Sequence, residues 1–265
     1  MNTHHTAIDL PKYFQRIAYS AAPSADLATL HAIHLAHATH IPFENIDVLL
    51  GRPIRLDLPS LADKLIDQRR GGYCFEQNAL LAAVLEELGF KVTRLLARVR
   101  IGGERLLPRT HMVLEVAAEG QSWLADVGFG AWGLLDPLPL APGDSRQHAW
   151  TYRLANQGAE WTLSAPIAGQ WHPLYTFTRE PQLPIDYEPA NWYTSTHPDS
   201  RFVQTLTAQM PTPDTRYLLR NRELTVVTAD GLTTYPLNSD ADLLRALAEK
   251  FRLQVPAGPW LPAEA

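Results

Sequence analysis

Up to Gly89 the apolar positions follow a helical period, and beyond it they alternate. Ile8-Asp9-Leu10-Pro11 leads into Lys12-Tyr13-Phe14-Gln15-Arg16-Ile17, which predicts a first helix capped by Asp9. Leu27, Leu30, Ile33, His34 and Ala38 line one stripe of a second helix, opened by Ser24-Ala25-Asp26. Ile41-Pro42 ends it, because the residue before a proline is pushed out of the helical region. Pro59 to Ile66 predicts a third helix, with Ser60 as its cap and Asp63 three residues on. The largely apolar run from Ala79 to Leu88 predicts a buried helix that stops at Gly89.

From Val92 the period is two. Leu95, Ala97, Val99 and Ile101 share one face, with Arg94, Arg98 and Arg100 opposite, and Gly102-Gly103 predicts a turn or loop. Thr110 to Val116 and Ser122 to Val127 predict two strands of a hairpin around Glu119-Gly120. Trp150 to Leu154 and Glu160 to Leu163 predict further short strands, and Pro173, Pro181, Pro184 and Pro189 predict wrapping loops. His197 is expected in a loop, and Thr196, Asp199 and Ser200 offer caps for a short helix over Arg201-Phe202-Val203. Strand-like runs from Tyr217 to Tyr235 break at Asn221-Arg222 and Asp230-Gly231, and Ser239 caps a final helix. Neither a repeat nor a low-complexity linker interrupts the chain.

Composition narrows the class. The chain has 265 residues, 46% of them hydrophobic and 19% charged, enough for a large core and one to three domains. A net charge of −5 argues against a nucleic-acid binder, although basic residues can still cluster locally around phosphates. The start, Met1-Asn2-Thr3-His4-His5, lacks the basic-then-apolar pattern of a signal peptide, and no apolar run approaches the roughly 20 residues that span a bilayer. A cytoplasmic protein without membrane or nucleic-acid partners is expected. One cysteine excludes an internal disulfide and a cysteine-rich zinc site, and it suits a reducing compartment. His31, His34, His37 and His40 recur every third residue, a step that rotates them around a helix and away from a shared metal. No metal site is expected.

That one cysteine is the first candidate for chemistry. Arg69-Arg70-Gly71-Gly72-Tyr73-Cys74-Phe75-Glu76-Gln77-Asn78 reads as a tight loop feeding the buried helix, with Cys74 on its first turn. A helix N-terminus offers unpaired N–H groups and partial positive charge, which favour a thiolate. A small buried core residue is the alternative for a lone cysteine. Partners decide between the two. His111 and Asp126 flank a midpoint between Ala118 and Glu119, so in the predicted hairpin they face each other, about 5 Å apart at Cβ. A slip of one residue would put them on opposite faces. A Cys–His–Asp set has a clear logic: the imidazole takes the thiol proton, the carboxylate fixes its tautomer, and helix N–H groups stabilise an oxyanion. Glu44 in an apolar setting needs a partner if buried; Arg70 is the candidate, and the pair would brace the cysteine loop.

The motifs also carry a family resemblance. Ile41-Pro42-Phe43-Glu44-Asn45, Arg70-Gly71-Gly72-Tyr73-Cys74-Phe75-Glu76-Gln77-Asn78, Thr110-His111-Met112-Val113-Leu114, Asp126-Val127-Gly128-Phe129-Gly130 and Asn191-Trp192-Tyr193-Thr194-Ser195-Thr196-His197-Pro198 resemble, in order and spacing, the arylamine N-acetyltransferases. The resemblance implies Cys74 as nucleophile, His111 as base and Asp126 as orienting acid. It implies acetyl-CoA as co-substrate, with no tightly bound cofactor, and arylamines, arylhydrazines or arylhydroxylamines as acceptors. Transfer would be ping-pong through an acetyl-cysteine. Gly128, Phe129 and Gly130 become candidates for contact with the donor, and Phe129 for a wall of the acceptor pocket.

The expected fold class is α+β with a papain-like Cys-His-Asp site. Residues 1–90 form a helical domain carrying the nucleophile, 91–200 a central antiparallel β-barrel-like domain carrying base and acid, and 201–265 a C-terminal α/β region. The site should lie where the first two meet. Three rival readings stay open: a relative that moves longer acyl chains or makes amides, a cysteine hydrolase with the same triad, and a binding module with a structural cysteine. Oligomeric state is not legible.

Overall fold

The structure is a computed structural model that describes residues 8–101, 106–258 and 260–262; the Gly102-Gly103 turn lies outside the described residues. In the N-terminal part come α1 (Leu10–Ile17), α2 (Leu27–His40), a two-residue strand β1 (Phe43–Glu44), α3 (Ile46–Leu49), α4 (Leu58–Leu61), which runs on into a wider turn over Ala62–Asp67, and α5 (Cys74–Glu87). Caps follow the chemistry expected of them. The Asp9 and Asp26 carboxylates accept from the Lys12 and Thr29 amides. The third helix starts earlier than predicted. Its cap is Asp57, which accepts from both the amide and the hydroxyl of Ser60, because Pro59 is suited to the first turn and not to a position ahead of it.

Next follow β2 (Lys91–Val99), β3 (His111–Ala118), β4 (Gln121–Ala125), β5 (Leu138–Pro139), β6 (Gly143–Gln147), β7 (Trp150–Gln157), β8 (Glu160–Ile167) and β9 (Gln170–Phe177). They form one antiparallel sheet in the order β5-β4-β3-β2-β9-β8-β7-β6, which curls like a barrel. Of the predicted loop prolines, Pro184 opens a one-turn 3-10 helix (Pro184–Asp186), and two others lie inside longer elements. Pro173 sits in β9 beside a register shift opposite Leu163/Ser164, beyond the stretch of β9 that pairs with β2, so its missing N–H breaks no ladder. Pro189 lies in the first turn of α6 (Tyr187–Thr196), where amides have no helical partner in any case. His197 caps that helix at its C-terminal end.

After α7 (Arg201–Gln204), the strands β10 (Thr207–Pro211), β11 (Arg216–Arg220), β12 (Glu223–Thr228) and β13 (Gly231–Pro236) form a second antiparallel sheet, backed by α8 (Asp240–Phe251). Its far edge is β1, from the other end of the chain: Phe43 pairs with Gln209 and also bridges Gly72 in the cysteine loop. The fold is therefore α+β. Among the described residues no helix is long and apolar enough to cross a membrane.

Helix α5 is the centre of the larger core. Leu80, Leu81, Ala82, Val84 and Leu85 are fully buried, so the helix is apolar nearly all round. Each such leucine contributes on the order of 1.5–3 kcal/mol relative to exposure. The histidines of α2 go separate ways. His34 and His37 are buried, His37 against the Tyr13 hydroxyl at 2.8 Å, while His31 faces Asp136. Among the described residues no group of three or more His, Cys, Asp or Glu side chains is arranged to hold a metal.

Burial, with help from His34 and Arg16, lowers the pKa of His37 to about 3. The unfolded chain takes up that proton below its ordinary pKa of about 6.5, and the native state does not. Stability should therefore fall as pH drops, by about 1 kcal/mol for this group between pH 7 and pH 5.5. Urea midpoints across that range check it, and the slope should be shallower in His37→Gln. Equal slopes in the wild type and His37→Gln would contradict a neutral, buried His37.

Candidate active site

The N-cap of α5 is Tyr73, whose amide donates to the Glu76 carboxylate at 3.0 Å. That contact sets Cys74 as the first residue of the helix, as its sequence setting predicts. Cys74 is 5% exposed, and its sulfur lies 3.5 Å from the carbonyl of Thr110. The next residue, His111, opens β3, and the nearby Cys74 sulfur is one of the groups that raise its pKa. Its Nε2 donates to Asp126 Oδ2 at 2.7 Å, which leaves Nδ1 for the sulfur. His111 is 2% exposed and Asp126 fully buried. The structure brings all three predicted residues together.

The route from His111 to Asp126 differs from the expected one. Glu119 and Gly120 both have positive φ and close a two-residue turn, so Ala118 faces Gln121. The ladder ends at Leu114 opposite Ala125, and Asp126 lies just beyond. The register is shifted by two residues from direct opposition of His111 and Asp126. A shift of two keeps side chains on one face, so the contact survives as a diagonal one.

Burial disfavours protonated His111, but the Asp126 carboxylate, its hydrogen bond and the Cys74 sulfur outweigh it and raise the pKa to about 10. Burial likewise works against ionised Asp126, yet His111 and the hydrogen bonds from Asn78 and Gly128 hold its pKa below the usual range. The carboxylate is heavily held. Oδ1 accepts from Asn78 Nδ2 and from the Gly128 amide, both at 2.9 Å. Asn78 Oδ1 accepts from the Val127 amide at 3.0 Å.

Two supports escaped sequence reasoning. Asn78 lies one turn after Cys74, and that spacing was the available signal for it. His34 reaches from α2: its Nδ1 donates to the Leu135 carbonyl at 2.9 Å, and its Nε2 accepts from the Asp126 amide at 3.0 Å. Burial lowers its pKa, as that neutral tautomer requires. Tyr175 packs its ring 5.0 Å from the imidazole, and Phe129 stands edge-on to it at 5.1 Å. Neither His34 nor Tyr175 has a local pattern that points to Asp126 or His111.

Of the proposed donor-binding residues, Gly128 is a close-approach position. A Cβ there would lie 2.7 Å from the Cys74 Cα, so the backbone after Asp126 packs directly on the cysteine helix. Gly130 has φ +84°, and a Cβ would lie 2.5 Å from Gln209 Oε1, which accepts from the Ala131 amide. The space beside both glycines is filled by protein. Phe129, between them, packs on His111 and Tyr175.

Beneath the cysteine loop lies a ring of charges. Arg70 donates to Glu44 at 2.7 Å and faces Asp47 at 3.5 Å, and Lys64 bridges Asp47 at 2.9 Å and Glu76 at 2.6 Å. The expected Glu44–Arg70 pair is thus one side of a larger closure. Glu44 also accepts from the Ile46 amide at 2.7 Å, and its side chain is fully buried. Arg70→Met would leave that carboxylate without its partner and should cost about 3–5 kcal/mol in denaturant unfolding. Glu44→Gln in the same chain should recover part of the loss. Full stability of the single variant would contradict the bracing role.

A buried thiol, imidazole and carboxylate beside two aromatic rings carry the groups that acyl transfer or hydrolysis needs. A family model described as N-acetyltransferase matches residues 26–259. The chain is 46% identical to the arylamine N-acetyltransferase of Mycolicibacterium smegmatis over 256 residues, 94% of this chain and 93% of that one. The solved M. smegmatis arylamine N-acetyltransferase superposes with a TM-score of 0.89, covering 92% of each chain. The Mycobacterium marinum arylamine N-acetyltransferase, solved in complex with CoA, superposes at 0.88 with 37% identity and 93% coverage of each. The protein is thus an acyltransferase. It belongs to the arylamine N-acetyltransferase family.

Proposed function

We propose that the protein transfers an acetyl group from acetyl-CoA to the nitrogen of arylamines and arylhydrazines, or the oxygen of arylhydroxylamines, through an acetylated Cys74. The observation that carries the reading is the buried imidazole of His111, which holds Asp126 at 2.7 Å while the Cys74 sulfur lies 3.5 Å from the carbonyl of Thr110, the residue before it. In the first half, His111 takes the thiol proton and the sulfur attacks the acetyl carbonyl. Amide groups of the first turn of α5 are placed to stabilise the oxyanion. The C–S bond to CoA breaks, and the proton passes from His111 to the departing thiolate. In the second half the amine nitrogen attacks the thioester, its proton goes to His111 and then to the cysteine sulfur, and the free thiol returns. Asp126 keeps Nε2 protonated and supports the imidazolium throughout.

The donor assignment is supported by the CoA complex of the M. marinum relative, and the acceptor class by the names of the relatives. Phe129 forms part of the aromatic wall for the acceptor, and Gly128 and Gly130, whose Cβ directions face Cys74 and Gln209, would meet the donor through their backbone only. Intact mass spectrometry after acetyl-CoA addition without acceptor tests the scheme. One acetyl per chain, mapped to the Cys74 peptide and discharged by an arylamine, is the expected result. An unmodified chain that still turns over would overturn the covalent route.

A further inference from the structure

Three arginines are buried among the described residues. Arg16 donates to the carbonyls of His40 and Leu65, and Arg222 pairs with Asp240. Arg216, the first residue of β11 and 1% exposed, is held by rings instead. Its guanidinium lies 4.0 Å from the ring centroid of Trp150, 4.5 Å from that of Trp132 and 5.7 Å from that of Tyr152. Its Nη2 donates to the Tyr152 hydroxyl at 2.9 Å. Ring faces attract a cation, but an apolar side chain in the same place would avoid desolvating a charge. What arginine adds here is one directed bond.

That bond sets a direction. A phenol has one proton to give, and burial raises the Tyr152 pKa to about 12, so the proton stays on. Arginine cannot accept, so with Nη2 donating to the oxygen the proton must go elsewhere. It goes to the carbonyl of Gly133. The Gly133 amide donates to the Gly130 carbonyl at 2.9 Å and closes a turn on Phe129; a Cβ at Gly133 would lie 3.4 Å from the Phe129 Cβ. Three successive residues are thus tied to strands β10 and β11. Gln209 accepts from the Ala131 amide, Arg216 lies over the Trp132 ring, and Tyr152, oriented by Arg216, holds Gly133. The residue two before Ala131 is Phe129, whose ring stands 5.1 Å from the His111 imidazole.

We propose that Arg216 is a positioning residue that sets acceptor selectivity: through Tyr152 and the 130–133 turn it keeps the Phe129 ring against His111, and so fixes the room left for an aromatic amine. Arg216 touches neither substrate nor the reacting atoms; it acts through Phe129. Selectivity rests on the proposed role of Phe129 as acceptor wall, whereas the link from Arg216 to that ring exists in the resting protein.

The test compares kcat/KM for 2-aminofluorene, a fused-ring amine, with that for aniline. Both are measured on one enzyme, so a loss of folded protein cancels from their ratio. Arg216→Met keeps an unbranched side chain and loses the donor. It should raise the ratio by about fivefold or more, because a released Phe129 leaves room for the larger amine. Tyr152→Phe removes the hydroxyl alone and should shift the ratio the same way; it carries the test should Arg216→Met fold poorly. Arg216→Lys keeps a cation and an N–H donor and should recover most of the wild-type ratio. With Phe129→Leu already present, Arg216→Met should change the ratio by less than about twofold, since the ring it acts on is gone. An unchanged ratio in both Arg216→Met and Tyr152→Phe, or an equal shift with Phe129 replaced, would overturn the assignment. Proton NMR of the resting protein gives a check without turnover. The His111 imidazole lies in the ring current of Phe129, so Arg216→Met and Tyr152→Phe should both move its resonances, and unmoved resonances would count against the link. Failure of the acetyl-transfer reading would appear separately, as a wild type that acetylates neither amine with the His111 shift still present in the variants.

Discussion

Cys74→Ser is expected to lose acetyl transfer by on the order of 10⁴-fold or more, with the fold unchanged. The reason is chemical, not steric. Serine fills nearly the same space, and its hydroxyl can donate to the Thr110 carbonyl that the thiol approaches at 3.5 Å. A hydroxyl gives up its proton far less readily than a thiol, and His111 with Asp126 is matched to a thiol. The variant should show no acetyl adduct by intact mass and unaltered thermal unfolding. One equivalent of stable adduct on the serine variant would place the acyl group on another residue.

Asp126→Asn should lower kcat by roughly 10³–10⁴-fold while keeping the structure. Asparagine is isosteric, and its carbonyl oxygen can still accept from Asn78 and Gly128, as Oδ1 does at 2.9 Å. The amide group then faces His111 Nε2, where the wild type has a carboxylate oxygen. The imidazole must offer a lone pair to that amide, so its proton moves to Nδ1, the nitrogen needed to accept the thiol proton. The His111 pKa should also fall from about 10, because burial that lowers it is no longer opposed by a neighbouring charge. Proton NMR of the imidazole and a pH–rate profile read both effects. A loss within tenfold, with the imidazole pKa unmoved, would remove Asp126 from the mechanism.

Local chemistry made much of this chain readable. The helix from Cys74 and its stop at Gly89, the turn at Glu119-Gly120, and the caps Asp9, Asp26, Ser200 and Ser239 depend on residues within a few positions of one another. Errors came where two local rules competed. Ser60 and Asp57 are both good caps, and Pro59 decided between them. Pro173 and Pro189 look like loop residues until a sheet bulge or a helix first turn is known to need no N–H there. The hairpin register missed by two because the turn is centred one residue later than the midpoint of His111 and Asp126.

By itself the sequence determined which residues could do chemistry: a lone cysteine at a glycine-led helix start, and a histidine and aspartate on one face of a hairpin. Side-chain type, turn geometry and two-fold alternation act over short distances, so they leave a mark in the order of residues. Only the tertiary structure decided that Cys74 meets His111, that His34 and Asn78 hold Asp126 from two different helices, and that Lys64 and Asp47 close the charges beneath the loop. Those contacts join segments separated by tens of residues. They follow from how α5 buries its apolar faces against the sheet, and no spacing along the chain encodes that packing.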